Sequence, residues 1–282
     1  MTHASHNVTF PNGQSVAPIG MGSWRLGQDR RPAKEKESAL QLGIDLGMQV
    51  IDTAEMYGDG RSEILIGRAI KGRREDVFLV SKVYPWNATQ QKMTAACDSS
   101  LERLNTESID LYLLHWQTGT PLAEVVVAFD GLQRQGKIRA WGVSNFDADA
   151  MKKLQGVRDG AACLTDQVLY NAGSRGIEFD LLKCCTRQAM PVMAYAPLGS
   201  GGDLLHHPML AEISRKYGVT PATIALAWSI RNRNIIAIPE SGNAVHIREN
   251  AAALTLQLDE EDVAAIDVAF PPSSHKTALD IL

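Results

Sequence analysis

The chain has 282 residues, 45% of them hydrophobic and 21% charged, with a formal net charge of −4. That length suits one large α/β domain or two small ones, and the slight negative charge argues against general attraction to nucleic acid or anionic membrane. No run approaches the roughly 18–20 apolar residues of a membrane span, and the polar start, Met1 to Asn7, lacks the apolar core of a secretory signal.

The first element is a hairpin. Val8-Thr9-Phe10, Pro11-Asn12-Gly13 and Gln14 to Ala17 alternate around an Asn-Gly pair that suits a turn with positive φ. Glu37 to Gly47 then places Leu40, Gly43, Ile44 and Gly47 at helical spacing, with Gly47 as C-cap. Met48-Gln49-Val50-Ile51 runs as a buried strand into Asp52, and Tyr57 stands in the loop beyond. The unit repeats: a helix over Ser62 to Ile70, then Val77 to Val80 running into Ser81 and Lys82.

A helix over Gln90 to Leu104, with Met93, Cys97, Leu101 and Leu104 on one face, precedes Ile109 to Leu114 and His115. Pro121 to Gln135 is helical, Gly136 stops it, and Ile138 to Val143 is a strand ending at Ser144-Asn145. Leu164-Thr165-Asp166 ends at Gln167, a helix spans Phe179 to Gln188, and Pro191 to Tyr195 is the next strand. Thr220-Pro221 opens a further helix before the strand Ile235 to Ile238.

Strands alternating with helices imply parallel pairing. About eight such units over about 250 residues are the size of a closed (β/α)8 TIM barrel, whose sites lie at the C-terminal ends of its strands. A doubly wound open sheet is the rival, but no G-x-G-x-x-G follows the first strand. Without a linker-like break, residues 1–282 read as a single domain. The four cysteines, Cys97, Cys163, Cys184 and Cys185, show neither disulfide nor zinc-ligand spacing, which fits a reduced, cytoplasmic protein without a metal.

Asp52, Tyr57, Lys82 and His115 carry the chemistry. Singly, each has a plain structural role: a helix cap, a packed aromatic, a solvated cation, a hydrogen-bonded core histidine. On loops that open on one barrel face they make a proton-transfer site. A phenol with its usual pKa of about 10 is a poor acid at neutral pH, and a nearby ammonium is expected to depress that value. Asp52 would hold Lys82 in place and charged, and His115 would aim the substrate oxygen. Acid catalysis of this kind is worth roughly 10²–10⁴ in rate, while hydride has to come from a cofactor. A lyase using Lys82 as a Schiff-base nucleophile is the rival chemistry.

The segments Asp52-Thr53-Ala54-Glu55-Met56-Tyr57-Gly58, Val80-Ser81-Lys82-Val83 and Leu113-Leu114-His115-Trp116 resemble the signatures of the aldo-keto reductases. So do Gly136 to Phe146, Gln167-Val168-Leu169-Tyr170-Asn171, Ala194 to Ser200 and the stretch from Ile238-Pro239 to Glu249-Asn250. The resemblance covers nearly the whole chain and is nearest to bacterial methylglyoxal or general aldehyde reductases. It implies an N-terminal β-hairpin covering the barrel bottom, and NAD(P)H-dependent reduction of aldehydes, 2-oxoaldehydes or ketones. Tyr57 is then the general acid, Lys82 and Asp52 its tuning pair, and His115 the orienting residue. It places Ser144, Asn145 and Gln167 on the nicotinamide carboxamide, Tyr195 on its ring, Leu198 and Ser200 along the pyrophosphate, and Glu249 and Asn250 at the adenine. Trp24, Trp86 and Trp116 would wall the substrate pocket. A monomer is the family expectation, and a cofactor-binding regulatory subunit with little turnover is the alternative function.

Two departures stand out. Glu240 and His246 occupy positions where many NADPH-dependent members carry the lysine and arginine that bind the 2′-phosphate. NADP(H) dominates the family, so either Ser241, Asn243 and His246 hold the phosphate while Glu240 points into solvent, or Glu240 accepts the 2′-hydroxyl of NAD(H) and weakens NADPH preference. The second departure is a short tail after the last helix, Phe270 to Leu282, which predicts an open site and loose substrate specificity.

Overall fold

The computed structural model describes residues 6–28, 30–200 and 202–282. The hairpin forms as expected from strands β1 (Val8–Thr9) and β2 (Ser15–Val16), antiparallel with Val8 opposite Val16. Gly13 takes φ +87°, and the Phe10 N–H donates to Gln14 O at 2.8 Å across the turn.

Eight parallel strands follow in chain order: β3 (Met21–Gly22), β4 (Val50–Asp52), β5 (Phe78–Val83), β6 (Ile109–Leu114), β7 (Ile138–Ser144), β8 (Asp166–Leu169), β9 (Val192–Tyr195) and β10 (Ile235–Ala237). The sheet closes on itself through parallel bridges Ile19–Ala237 and Gly22–Glu240, with the Gly22 N–H donating to Pro239 O at 2.9 Å. Glycine is required at this seam. A Cβ on Gly22 would lie 2.9 Å from Ile238 O, and one on Gly20 would lie 2.7 Å from the Val50 carbonyl oxygen.

Helices α1 (Ala33–Asp45), α2 (Arg61–Ala69), α3 (Gln90–Leu104), α4 (Leu122–Arg134), α5 (Ala148–Gln155), α6 (Leu181–Thr186) and α9 (Ala244–Ala252) each follow a strand, and α8 (Pro221–Ser229) leads into β10. Two more, α7 (Pro208–Tyr217) and α10 (Glu260–Ala269), are additions that pack on each other. Among the described residues, no helix is long and apolar enough to cross a membrane.

The apolar residues divide into two cores. The larger lies between the strands and the helix ring. The smaller fills the barrel interior, where Val8, Phe10 and Val16 of the hairpin meet Val50, Phe78 and Val80 at the strand beginnings. Phe10 stacks on Phe78 with ring centroids 5.4 Å apart, so the hairpin caps the N-terminal end of the barrel. Burying one such phenylalanine contributes roughly 1.5–3 kcal/mol. Asp110, the lone acid of β6, sits in the sheet as the acceptor for Arg74 at 2.7 Å, Arg139 at 3.0 Å and the Leu79 N–H at 2.8 Å.

Two elements differ from the sequence reading, and a third, β3, has no counterpart in it. Strand β8 starts at Asp166 and continues through Gln167 to Leu169, because a polar residue facing the barrel interior does not end a strand. Strand β3 has only two residues, too few for any periodicity. The helix expected over Phe179 to Gln188 is confined to α6, preceded by a 3-10 turn over Gly176–Glu178.

Candidate active site

Alternation along the strands builds the site. Val50, Val80, Leu113 and Met193 point into the interior core. Two residues further on the same face stand Asp52, Lys82, His115 and Tyr195. A polar layer therefore lies directly above the apolar one, at the C-terminal ends of β4, β5, β6 and β9. Tyr57 joins it from the turn after β4, which Glu55 ties to the neighbouring loop by accepting the Tyr84 N–H at 2.7 Å.

Lys82 Nζ lies at the centre, sealed from solvent. It donates to Asp52 Oδ2 at 2.7 Å, to the Thr53 carbonyl at 3.0 Å and to Tyr57 Oη at 2.9 Å. Those contacts use all three ammonium hydrogens. The phenol oxygen accepts one of them, so its own hydrogen remains for another acceptor. Gln167 Nε2 donates to the other Asp52 oxygen at 2.7 Å. The His115 ring meets Tyr57 edge-on at 5.7 Å and Trp116 at 5.0 Å, and its Nδ1 is buried with no partner.

Burial dominates the electrostatics. It pushes the Asp52 carboxyl up and the Lys82 amine down, each opposed by the charge of the other. The His115 imidazole is pulled down to about 2 by burial and by the Lys82 charge, so it is neutral. The phenol departs from the expectation. Burial, with Asp52 and Glu240 nearby, pushes Tyr57 well above the usual phenol range rather than below it. The cost of desolvating a phenolate outweighs the attraction of an ammonium already paired with Asp52. Lys82 thus acts on Tyr57 through a directed hydrogen bond.

Above this layer opens a cavity of about 690 Å³. Asp52, Tyr57 and His115 lie on its floor, with Ser144, Asn145, Gln167 and Tyr195 beside them. Leu198, Ser200 and Glu240 continue the wall outward. The β7–β9 edge is tightly held: Ser144 Oγ donates to Gln167 O at 2.7 Å, Asn145 Nδ2 to His115 O at 3.2 Å, and Tyr195 Oη to Asn145 Oδ1 at 3.0 Å. Asn145 is held at φ +59°, in the left-handed region. These residues fit a flat amide-bearing ring: an aromatic face at Tyr195 beside buried amide and hydroxyl groups.

Glu240 does not point away into solvent. It lines the cavity, and its carboxylate is held by accepting the Arg25 N–H at 3.0 Å. Ser241, Asn243, His246, Glu249 and Asn250 lie outside the cavity wall, at and along α9, where Asn243 Oδ1 caps the helix by accepting the Val245 N–H at 2.9 Å. Trp24 and Trp116 line the cavity, and Trp86 does not. It is 58% exposed and stacks on Tyr84 at 4.1 Å, behind Trp116. The tail also departs from expectation: although short, it returns across the barrel and places Ile281 and Leu282 on the cavity wall. Arg25, Met56 and Leu205 line the cavity too, and no pattern in the sequence marks them.

The model of the Aldo/keto reductase family matches residues 18–269. The chain belongs to the aldo/keto reductase family. This reductase is 46% identical over 279 residues to the methylglyoxal reductase YeaE of Escherichia coli, covering 98% of each chain. It is 31% identical to a glyoxal reductase of Bacillus subtilis, covering 94% and 93% of the two chains. An aldo/keto reductase of Klebsiella pneumoniae, solved with NADP and acetate, superposes with a TM-score of 0.96 at 44% identity, over 99% of this chain and 100% of that one. The oxidoreductase assignment and the (β/α)8 barrel follow from these likenesses together.

Proposed function

We propose that residues 1–282 act as one NADPH-dependent reductase domain that converts aldehydes, 2-oxoaldehydes of the methylglyoxal kind, and ketones to alcohols. The observation that carries this reading is the Lys82 contact set, which turns the phenol oxygen of Tyr57 into an acceptor and leaves its proton for the cavity. The methylglyoxal and glyoxal reductases among its relatives support the substrate class, and the Klebsiella reductase supports the cofactor.

Ser144, Asn145, Gln167 and Tyr195 would hold the nicotinamide end, with Leu198 and Ser200 along the pyrophosphate. Ser241, Asn243, His246, Glu249 and Asn250, at and along α9, would hold the adenosine end. A bound nicotinamide supplies the hydride. Neutral His115 and Tyr57 both reach the substrate oxygen, so the carbonyl is held between an imidazole and a phenol. As the oxygen gains negative charge it becomes a stronger base than phenolate and takes the Tyr57 proton. The Lys82 ammonium stabilises the phenolate left behind. Tyr57→Phe keeps the ring and removes the proton; carbonyl reduction should fall by about 10²–10⁴ with folding and cofactor binding intact. Near-normal kcat in a folded variant would overturn the assignment.

Glu240 tempers the cofactor assignment, because a carboxylate on the cavity wall repels a 2′-phosphate and favours some use of NADH. A preference for NADPH of a hundredfold or more in kcat/KM would remove that part of the reading. The buried, unpaired cysteines support a reduced, cytoplasmic setting, and a monomer of 30.7 kDa is the expected species in light scattering.

A further inference from the structure

We propose that Gln167 couples the nicotinamide end of the cavity to the proton donor, gripping Asp52 with one end of its amide while its other end faces the ligand. The inference rests on the reductase reading and assigns Gln167 a positioning role in addition to contact with cofactor. Gln167 is 1% exposed, and its Nε2 lies 2.7 Å from Asp52 Oδ1. A carboxylate only accepts, so the NH2 group must face Asp52, and Oε1 is the end left for a ligand. Its main chain is pinned, because the backbone carbonyl oxygen accepts Ser144 Oγ at 2.7 Å and the Asn145 N–H at 3.0 Å.

The path from Gln167 to the acid has three contacts and no slack. They are Gln167–Asp52 at 2.7 Å, Asp52–Lys82 at 2.7 Å and Lys82–Tyr57 at 2.9 Å. An N–H donor placed on Oε1, such as a primary carboxamide, polarises the amide and makes its NH2 a better donor to Asp52. The Asp52 carboxylate is then stabilised, and with it the charge on Lys82. Binding and ionisation are linked reciprocally: if the carboxamide favours ionised Asp52, ionised Asp52 favours the carboxamide.

Burial holds the Asp52 carboxyl above the ordinary range, with Lys82 and the Gln167 amide pulling it back. The titratable groups around this path are Lys82 on β5, Tyr57 beyond β4, His115 beyond β6, Tyr195 on β9, Glu240 beyond β10 and Glu63 on α2.

The test compares the wild type with Gln167→Met, which keeps length and removes the donor. The Asp52 carboxyl is titrated by 13C NMR without cofactor, and the Kd of NADP+ is followed by tryptophan fluorescence over a pH range that brackets the midpoint so found. In the wild type, Kd should tighten as pH rises through the Asp52 midpoint. In the variant the midpoint should move up by about one pH unit or more, and the pH dependence of Kd should flatten. An unmoved midpoint, with Kd weakened by one constant factor at every pH, would overturn the proposal and leave a simple cofactor contact. Should the variant fail to fold, the wild type is titrated with the 3-acetylpyridine analogue of NADP+, which lacks the amide N–H. Equal pH slopes for analogue and NADP+ would be equally fatal. A wild type that reduces no carbonyl would instead sink the reductase reading, and the titrations would still report on the coupling.

Discussion

Lys82 and Asp52 form an ion pair of 2.7 Å whose two side chains are almost wholly sealed from solvent. Burial works against both charges, and the pair persists because geometry satisfies it: Lys82 has three acceptors, and each Asp52 oxygen has a donor. This commitment also weighs against Lys82 as a Schiff-base nucleophile, since attack would require breaking the pair.

Lys82→Met should therefore damage stability as well as activity. It leaves a buried carboxylate with Gln167 as its one remaining donor, a change that typically costs about 3–5 kcal/mol. Denaturant unfolding at pH 8 should register that loss. The loss should shrink as pH is lowered, because the carboxyl, already raised by burial, takes up a proton and becomes neutral.

His115 sets a pH signature. With its imidazole pulled down to about 2, the native state refuses a proton that the unfolded state accepts below about 6.5. Its contribution to stability is thus present above that value and is lost as pH falls below it. Between pH 8 and 5 the wild type should lose about 2 kcal/mol more than His115→Gln does. The kcat profile should also lack a limb near pH 6.5, and an NMR titration of His115 with a midpoint between 5 and 8 would refute the neutral assignment.

Asp166 carries the opposite sign. It is fully buried on β8, its Oδ2 has no partner, and burial pushes its carboxyl well above the ordinary range. The native state keeps a proton that the unfolded state releases above about 3.9, so stability falls as pH rises from there toward the native value. Asp166→Asn preserves shape and acceptor and cannot ionise. It should match the wild type near pH 3.5 and exceed it by about 1–3 kcal/mol at pH 8, as read by urea unfolding.

The tail should tune substrate choice. Asp280 is hydrogen-bonded to Ser174 and Lys276 pairs with Asp149 at 2.6 Å, so removing Ile281 and Leu282 alone leaves the strap anchored. KM for bulky aldehydes should change several-fold, with KM for methylglyoxal altered less. An identical profile across an aldehyde panel would place these two side chains outside the working site.

Much of the site is legible in the sequence. Buried parallel strands stay apolar until the chain leaves the core, so the ends of the apolar runs marked Asp52, Lys82 and His115. The Asn-Gly turn marked the hairpin. Strand β3 was not legible, because two residues, Met21 and Gly22, carry no period, and the seam they close depends on contacts with residues 237–240.

Local pattern and side-chain chemistry in the sequence by themselves determined the repeating βα order, the barrel class and the identity of the four polar residues. Tertiary structure alone decided how those residues are wired. The Gln167–Asp52 bond joins residues 115 positions apart, the raised phenol reflects burial rather than residue type, and Trp86 is outside the cavity while Leu282 is on its wall. Each depends on strand register, loop path and depth below the surface. Barrel closure sets these across the whole molecule, and no short window of sequence contains them.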